Sequence, residues 1–230
     1  MPDRILVAGA TGGTGQLIVA KLRSLDHPVR AFVLDLAEAR ELLPPEIELV
    51  QGNAVDPAAL PPAVHDVRAV ICAIGSRVPL GDNRPERVDY EGVRNLVHAA
   101  CDAGVTRFVL ISSIHVTHPE NPFNRFGQIL DWKLKGEDAL RDSGLIYTII
   151  RPGGLTDDPG GSPIQIGQRD TLKGKISRSD VAAVTVSALD DSRTYYTTFE
   201  IINAVDPYLP DDWQAHFAAL KTDRDLHGRL

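Results

Sequence analysis

Residues 4–15 read Arg-Ile-Leu-Val-Ala-Gly-Ala-Thr-Gly-Gly-Thr-Gly, an aliphatic run that ends in a glycine-rich turn. Arg4–Ala8 predicts a first strand and Gln16–Leu25 the helix after it, so the glycines stand between the two. Gly9, Gly12 and Gly15 give the spacing G-x-x-G-x-x-G. In such a loop the first glycine permits a tight turn, and the second lets backbone amides approach a pyrophosphate. The third lets the helix pack close to the strand. The helix N-terminus then offers unpaired N–H groups and a positive dipole end to the phosphates. A glycine-rich turn without a ligand is the competing reading. Its position between a strand and a helix, at the opening of a βαβ unit, favours the nucleotide.

Outward from that loop, short β-branched runs alternate with longer helical patterns. Further strands are predicted at Val29–Leu34, Ile47–Gln51, Ala69–Ala73, Arg107–Ser112, Leu145–Arg151 and Phe199–Ile202, with helices near Ala37–Leu43, Arg87–Ala103 and Gln128–Ser143. Nearly continuous apolar strands mean that helices cover both faces of the sheet. The expected fold is α/β, a doubly wound parallel sheet of the Rossmann kind, in one domain with a small substrate-covering region. That domain is expected over residues 1–203, with a substrate-side segment at 153–175 and an extension at 204–230 whose role the sequence leaves open. Val78–Pro85 and Gly153–Lys175 break the rhythm. Both follow strands at their carboxyl ends, where open α/β sheets bind ligands.

Composition narrows the function classes. Of the 230 residues 43% are hydrophobic and 24% charged, the ordinary globular mix. A domain of this size buries roughly 70–75% of the surface its unfolded chain exposes, enough for a core without staples. Lys and Arg number 24 against 31 Asp and Glu, a net charge of −7. Nucleic-acid binders cluster basic residues instead, so no nucleic-acid partner is expected. Only Cys72 and Cys101 occur, which excludes a disulfide framework and points to a reducing compartment. No secretory h-region follows Met1, and no run approaches ~18 apolar residues. The expectation is a cytoplasmic protein with a small-molecule substrate and no membrane partner, its oligomeric state open.

Residues 5–15 resemble the opening of the atypical short-chain dehydrogenase/reductase family. Further segments match in order: Asp89–Leu96, Ala99–Ser113, Asp131–Leu155 and Ile176–Ala182. Within the family the chain is similar to the NAD(P)H-binding flavin/biliverdin-reductase-like and NmrA-like proteins. That resemblance implies a nicotinamide cofactor cradled by Gly9, Thr11, Gly12, Gly13, Thr14 and Gly15. Asn53 and Ala54 fall in a segment that lies against the adenine. Ala73, Ile74, Gly75, Ser76 and Arg77 line the pyrophosphate and nicotinamide ribose, and Pro152 and Gly153 close the set. NADP-binding relatives carry an arginine where Leu34 stands; Arg40, one helical turn on, is the candidate replacement. Asp35 follows Gly15 by 20 positions, the place of an acid that selects NAD, yet Asp35-Leu36-Ala37-Glu38 also fits an N-capping box. The cofactor expectation is NADP, with NAD as the alternative.

Mainstream members of the family use Ser, Tyr and Lys, the last two spaced Tyr-x-x-x-Lys on one helix face. Ser113 and Lys133 match, but Ile129 stands where the tyrosine belongs. The missing acid directs the reading toward acceptors whose reduced form spreads negative charge, such as flavins, quinones or tetrapyrroles. Lys133 also reads as a ribose ligand or a surface lysine, and Ser113 as a strand-end cap. The rival to an enzyme is a non-catalytic cofactor-binding sensor or scaffold of the NmrA-like type. His115 and His118 have no ligand partners, so no metal site is expected; His115 is either an acid/base or a solvated loop residue. Trp132 reads as packing, Cys72 as a buried hydrophobe, and Glu137 and Asp138 as a solvated helix face.

Overall fold

The computed structural model describes residues 3–204 and 212–227, so part of the 204–230 extension lies outside the described residues. The first half runs β1 (Ile5–Ala8), α1 (Gly13–Ser24), β2 (Val29–Val33), α2 (Leu36–Leu42), β3 (Glu48–Gln51), α3 (Pro61–Val64) and β4 (Ala69–Cys72). A π-helix, Glu86–Gly92, then runs directly into α4 (Val93–Asp102). The second half runs β5 (Arg107–Ile111), α5 (Ile129–Arg141), β6 (Ile146–Pro152), β7 (Gly154–Thr156), β8 (Ile164–Gly167), β9 (Lys175–Ser177), α6 (Arg178–Asp190), β10 (Thr197–Asn203) and α7 (Asp223–His227).

Eight strands form one sheet in the order β3-β2-β1-β4-β5-β6-β10-β8, parallel except for β8, which pairs antiparallel with β10. Alternate residues of each strand enter opposite layers. Ile5 and Val7 join Ile18 and Leu22 of α1 and Val181 and Val184 of α6. Leu6 and Ala8 join Leu96 and Val97 of α4 and Leu140 of α5. With both faces apolar, the sheet is covered on both sides, which is why its strands read as continuous hydrophobic runs. The order reverses between β1 and β4, and there the crevice at the carboxyl edge opens.

The close approach expected of the glycine loop is severe. A Cβ on Gly15 would stand 2.1 Å from the Gly9 carbonyl oxygen. Gly9 has φ +81°, and a Cβ there would stand 2.7 Å from the Ala73 oxygen. Helix α1 therefore starts at Gly13, within the loop, rather than at Gln16.

Two expectations need correction, and the extension left open by the sequence gains a place. Residues 153–175, expected to be irregular, contain β7 and β8, and β9 begins at Lys175; runs of three or four residues are too short to show a period. Glu137 is fully buried, not solvated. It faces β6, where Arg151 donates to it from Nε at 3.0 Å and from Nη2 at 2.6 Å, and Arg141 joins from its own helix at 2.7 Å. The described part of the C-terminal extension belongs to the domain. Phe217 is buried in the α1/α6 layer, and the Asp223 carboxylate accepts from the Tyr147 hydroxyl and from the Thr198 amide and hydroxyl.

Two outcomes test this packing. Gly15→Ala should cost on the order of 1–3 kcal/mol or more in urea unfolding, because the atom it meets is backbone. An unchanged midpoint would refute the close-packing account. Burial pushes the Glu137 carboxyl up, but Arg151 and Arg141 outweigh it and hold the group below its ordinary 4.5. Its contribution is thus full above pH 4.5 and lost on acidification below it. Glu137→Ala should cost about 3–5 kcal/mol near neutral pH by leaving Arg151 in the interior with only Asp170, at 3.9 Å, to pair it, and the deficit should shrink in acid.

Candidate cofactor and substrate site

The N-terminus of α1 is built to receive an anion from outside. Helix α2 is capped by Asp35 and α6 by Ser177, whereas Gly12 caps α1 with no side-chain hydrogen bond and no acid stands in its first turn. Its first amides therefore lack acceptors. The loop above them carries no side chain at Gly9, Gly12 or Gly13, so a phosphate can approach the backbone. Arg77 lies at the mouth: its Nη2 is 3.5 Å from where a Cβ on Gly12 would stand. The donor set fits a pyrophosphate. Thr11 turns its carbonyl to the Gln16 side-chain amide at 2.9 Å, which pins the loop.

At the far end of the crevice, Asp35 Oδ1 accepts from Ala37 and Glu38 amides at 2.7 and 3.0 Å. The capping role is thus present, and it engages one oxygen of the carboxylate. Leu34 is exposed beside it. Arg40 stands in the last turn of α2, in a groove with Leu43, Pro44 and Ile47, about 6 Å of helix rise from Leu36. Asn53 accepts from the Val55 amide and donates to Asn83, tying the turn after β3 to the 78–85 loop. Ala54 is buried, and its carbonyl accepts from Asn95 at 3.1 Å.

The centre of the crevice holds an ion pair. Lys133 Nζ lies 2.7 Å from Asp89 Oδ1, with side-chain exposures of 16% and 0%. Asp89 Oδ2 accepts from the Ser76 amide at 3.0 Å, so one carboxylate joins α5 to the turn after β4. Ile74, Val93, Leu110 and Ser112 enclose a small cavity with this pair in its wall. Ser112, rather than Ser113, lines that cavity; Ser113 is half-buried beyond the strand end. Ala73, at the end of β4, donates its amide to Ala8 at 2.9 Å. Ile129 opens α5 one turn before Lys133, half-buried. Among the described tyrosines, Tyr90 stacks on Trp132 at 6.1 Å and Tyr147 is bound to Asp223. Cys72 lies beneath, where burial pushes its thiol up to about 12 and keeps it inert.

The loops at 114–118 and 168–172 are held by carboxylates. Glu200 accepts from the amides of Asp170, Thr171 and Leu172. Asp170 in turn accepts from the His115 amide at 2.6 Å and from the Thr117 amide and hydroxyl at 2.9 and 2.8 Å. Burial raises the Asp170 carboxyl, but these donors and Arg151 bring it below its ordinary value. His115 has φ +67°, so the loop after β5 is bent into place by that anchor. His118 reaches Glu120 and the Asp170 carbonyl, both at 3.2 Å. Pro152 accepts from the Ile114 amide, and Gly153 sits so tightly that a Cβ would stand 2.6 Å from the Gly174 oxygen. The sequence missed Asp89, Ser112 and Asp170 as candidate site residues; Asp89 opens the family-like segment Asp89–Leu96, and its pairing with Lys133 is long-range. Among the described residues no cluster has metal-ligating composition, and no helix is long and apolar enough to cross a membrane.

Residues 9–192 match the family model described as NAD(P)H-binding. An uncharacterised chloroplastic protein of Arabidopsis thaliana is 38% identical over 213 residues, covering 86% of this chain and 76% of that protein. Sanguinarine reductase of Eschscholzia californica is 31% identical over 241 residues, covering 86% and 88%. A putative NAD-dependent epimerase/dehydratase from Bacillus halodurans superposes with a TM-score of 0.77 at 27% identity, covering 87% and 94%.

Gly75 offers a clean test of the crevice. A Cβ there would stand 3.5 Å from Asp89 Oδ1 and 3.7 Å from Lys133 Nζ, ordinary contact distances. Gly75→Ala should therefore fold with stability within about 0.5 kcal/mol of the parent. Its affinity for NAD(P)H should fall roughly tenfold or more in calorimetry, as contact with the cofactor becomes overlap. Undiminished affinity would remove Gly75 from the cofactor-lining set.

Proposed function

Since the chain belongs to the NAD(P)H-binding family, we propose that it is a reductase that delivers a hydride to a conjugated acceptor such as a flavin, quinone or tetrapyrrole. One observation carries the reading: a lysine paired to a buried carboxylate at the crevice floor, with isoleucine where a proton-donating phenol would stand. The reduced nicotinamide, when bound, supplies the hydride. Lys133 would hold the nicotinamide ribose, with Asp89 aiming its ammonium while fixing the Ser76 turn. Gly75 keeps the floor open to close approach. Ser113 and Ser112 offer hydroxyls at the end of β5. Loops anchored by Asp170 and Glu200 wall the acceptor side and limit water.

An alkoxide forming from a simple ketone needs a proton donor at once. A conjugated ring spreads the incoming charge and takes its proton later from solvent, so it tolerates Ile129. The similarity to a protein named as a reductase supports the class of reaction. NADP is the favoured cofactor on the family resemblance, with NAD the alternative, because the helix cap engages one oxygen of Asp35 and leaves the other free for a ribose hydroxyl. Arg40 serves the 2′-phosphate only if its side chain turns back along α2. The substrate is a small molecule, and two free cysteines support a reducing, cytoplasmic setting. Ile129 also favours the second reading, a cofactor-binding sensor without turnover.

NADPH and NADH oxidation across flavins, quinones and simple ketones decides between them. Ketones should lag by about 10²–10⁴-fold, the usual worth of general acid catalysis, and Ile129→Tyr should raise ketone turnover. Brisk ketone reduction by the parent protein would mean that a proton donor is present, with His115 the first residue to substitute. Tight cofactor binding without turnover of any acceptor would establish the sensor.

A further inference from the structure

We propose that Arg178 is a ligand of the cofactor's pyrophosphate, held beside the phosphate loop by Asp157 until the cofactor displaces that carboxylate. The inference rests on nucleotide binding and is independent of turnover. Gly13 opens α1, and a Cβ on it would stand 3.1 Å from Cδ and 3.3 Å from Nε of Arg178. The φ of Gly13 is not in the left-handed region, so the backbone does not demand glycine there. What the missing side chain leaves is room for a guanidinium across the first amides of the helix. Arg77 approaches the neighbouring Gly12 in the same way. Two cations thus flank consecutive glycines of a helix end that has neither a side-chain cap nor an acid in its first turn.

The placement of Arg178 follows from the segment after β6. Parallel pairing of β7 with β9 sets Thr156 opposite Ser177, so the next residues, Asp157 and Arg178, emerge side by side. Asp157 Oδ1 is 2.7 Å from Arg178 Nη1. The turn beyond is fastened to α6, since the Gly161 amide donates to Asp180 Oδ1 at 2.7 Å. Asp157 is 89% exposed and Arg178 28%, so water competes for the pair. An exposed pair of this kind is worth at most about fivefold in an equilibrium. A charge-assisted guanidinium–phosphate contact in a sheltered cradle is worth roughly ten- to hundredfold. The exchange therefore runs toward the pyrophosphate. The carboxylate keeps the cation oriented and lowers affinity only slightly.

Calorimetric titration of the full chain with NADP and with NAD tests this, alongside thermal unfolding without ligand. Arg178→Ala should weaken both dinucleotides about tenfold or more with little change in unfolding. Arg178→Lys should recover part of the loss. Asp157→Asn should tighten both by about two- to fivefold, because the competitor is gone. The opposite signs are the signature, since a pair with a purely structural role would lose affinity from either side. Affinity unchanged in Arg178→Ala, or weakened in Asp157→Asn, overturns the proposal. A parent protein with no affinity for either dinucleotide overturns it together with the nucleotide site. Dinucleotide binding without turnover fails the reductase reading alone and leaves this one standing.

Discussion

The contact between Gly15 and the Gly9 carbonyl is the constraint on which the rest of the crevice depends. A methyl group at Gly15 would come within 2.1 Å of that oxygen, so α1 lies as near to the first turn as backbone can. This brings the open amides of α1 to the carboxyl edge of the sheet, beside the reversal in strand order. The turn after β4 must then pass close by, because Gly9 leaves no room before Ala73. Asp89 holds that turn through the Ser76 amide and reaches Lys133 with its other oxygen. Phosphate loop and crevice floor are thus linked by two glycines and one carboxylate.

The loops at 114–118 and 168–172 are organised by a different kind of force. Glu200, on β10, gathers three consecutive amides from 170–172, and Asp170 gathers those of His115 and Thr117. Asp223 does the same work for β10 and Tyr147 from the C-terminal side. Buried carboxylates are costly unless every oxygen finds donors, and here loop amides supply them. The loops gain fixed positions without the flat geometry a sheet would impose, which suits walls that must curve around a ligand.

These two kinds of order explain what the sequence disclosed. The inner strands of the main sheet were legible because burial on both faces makes them apolar runs, whereas the edge strand β3 is partly exposed. The phosphate loop was legible because its glycines stand in a strand–turn–helix context. Asp35 carried both readings in its spacing, and the structure supplies the capping bonds. Glu137 was misread because one charged residue among Lys, Gly and Asp carries no mark of the Arg151 that meets it from β6. Ser113 was the serine chosen from the sequence, whereas its neighbour Ser112 is the one that lines the cavity. Asp170 and Glu200 act through contacts 53–55 and 28–30 residues away, beyond the reach of any local pattern.

The π-helix at Glu86–Gly92 has a consequence for how this chain can change over time. A π-turn is underwound relative to an α-turn, and single extra residues accommodated in helices take this form. Asp89 lies within it, buried, and α4 continues from it without a break. Removing one residue from this stretch would let the helix rewind to the commoner geometry and swing the positions before α4 around the axis. Asp89 would turn away from both Lys133 and Ser76 in a single event, with every side chain of the pair still encoded. The crevice is therefore tuned by residue count as well as by residue identity, and length changes here are a route by which the scaffold can survive while its chemistry is redirected.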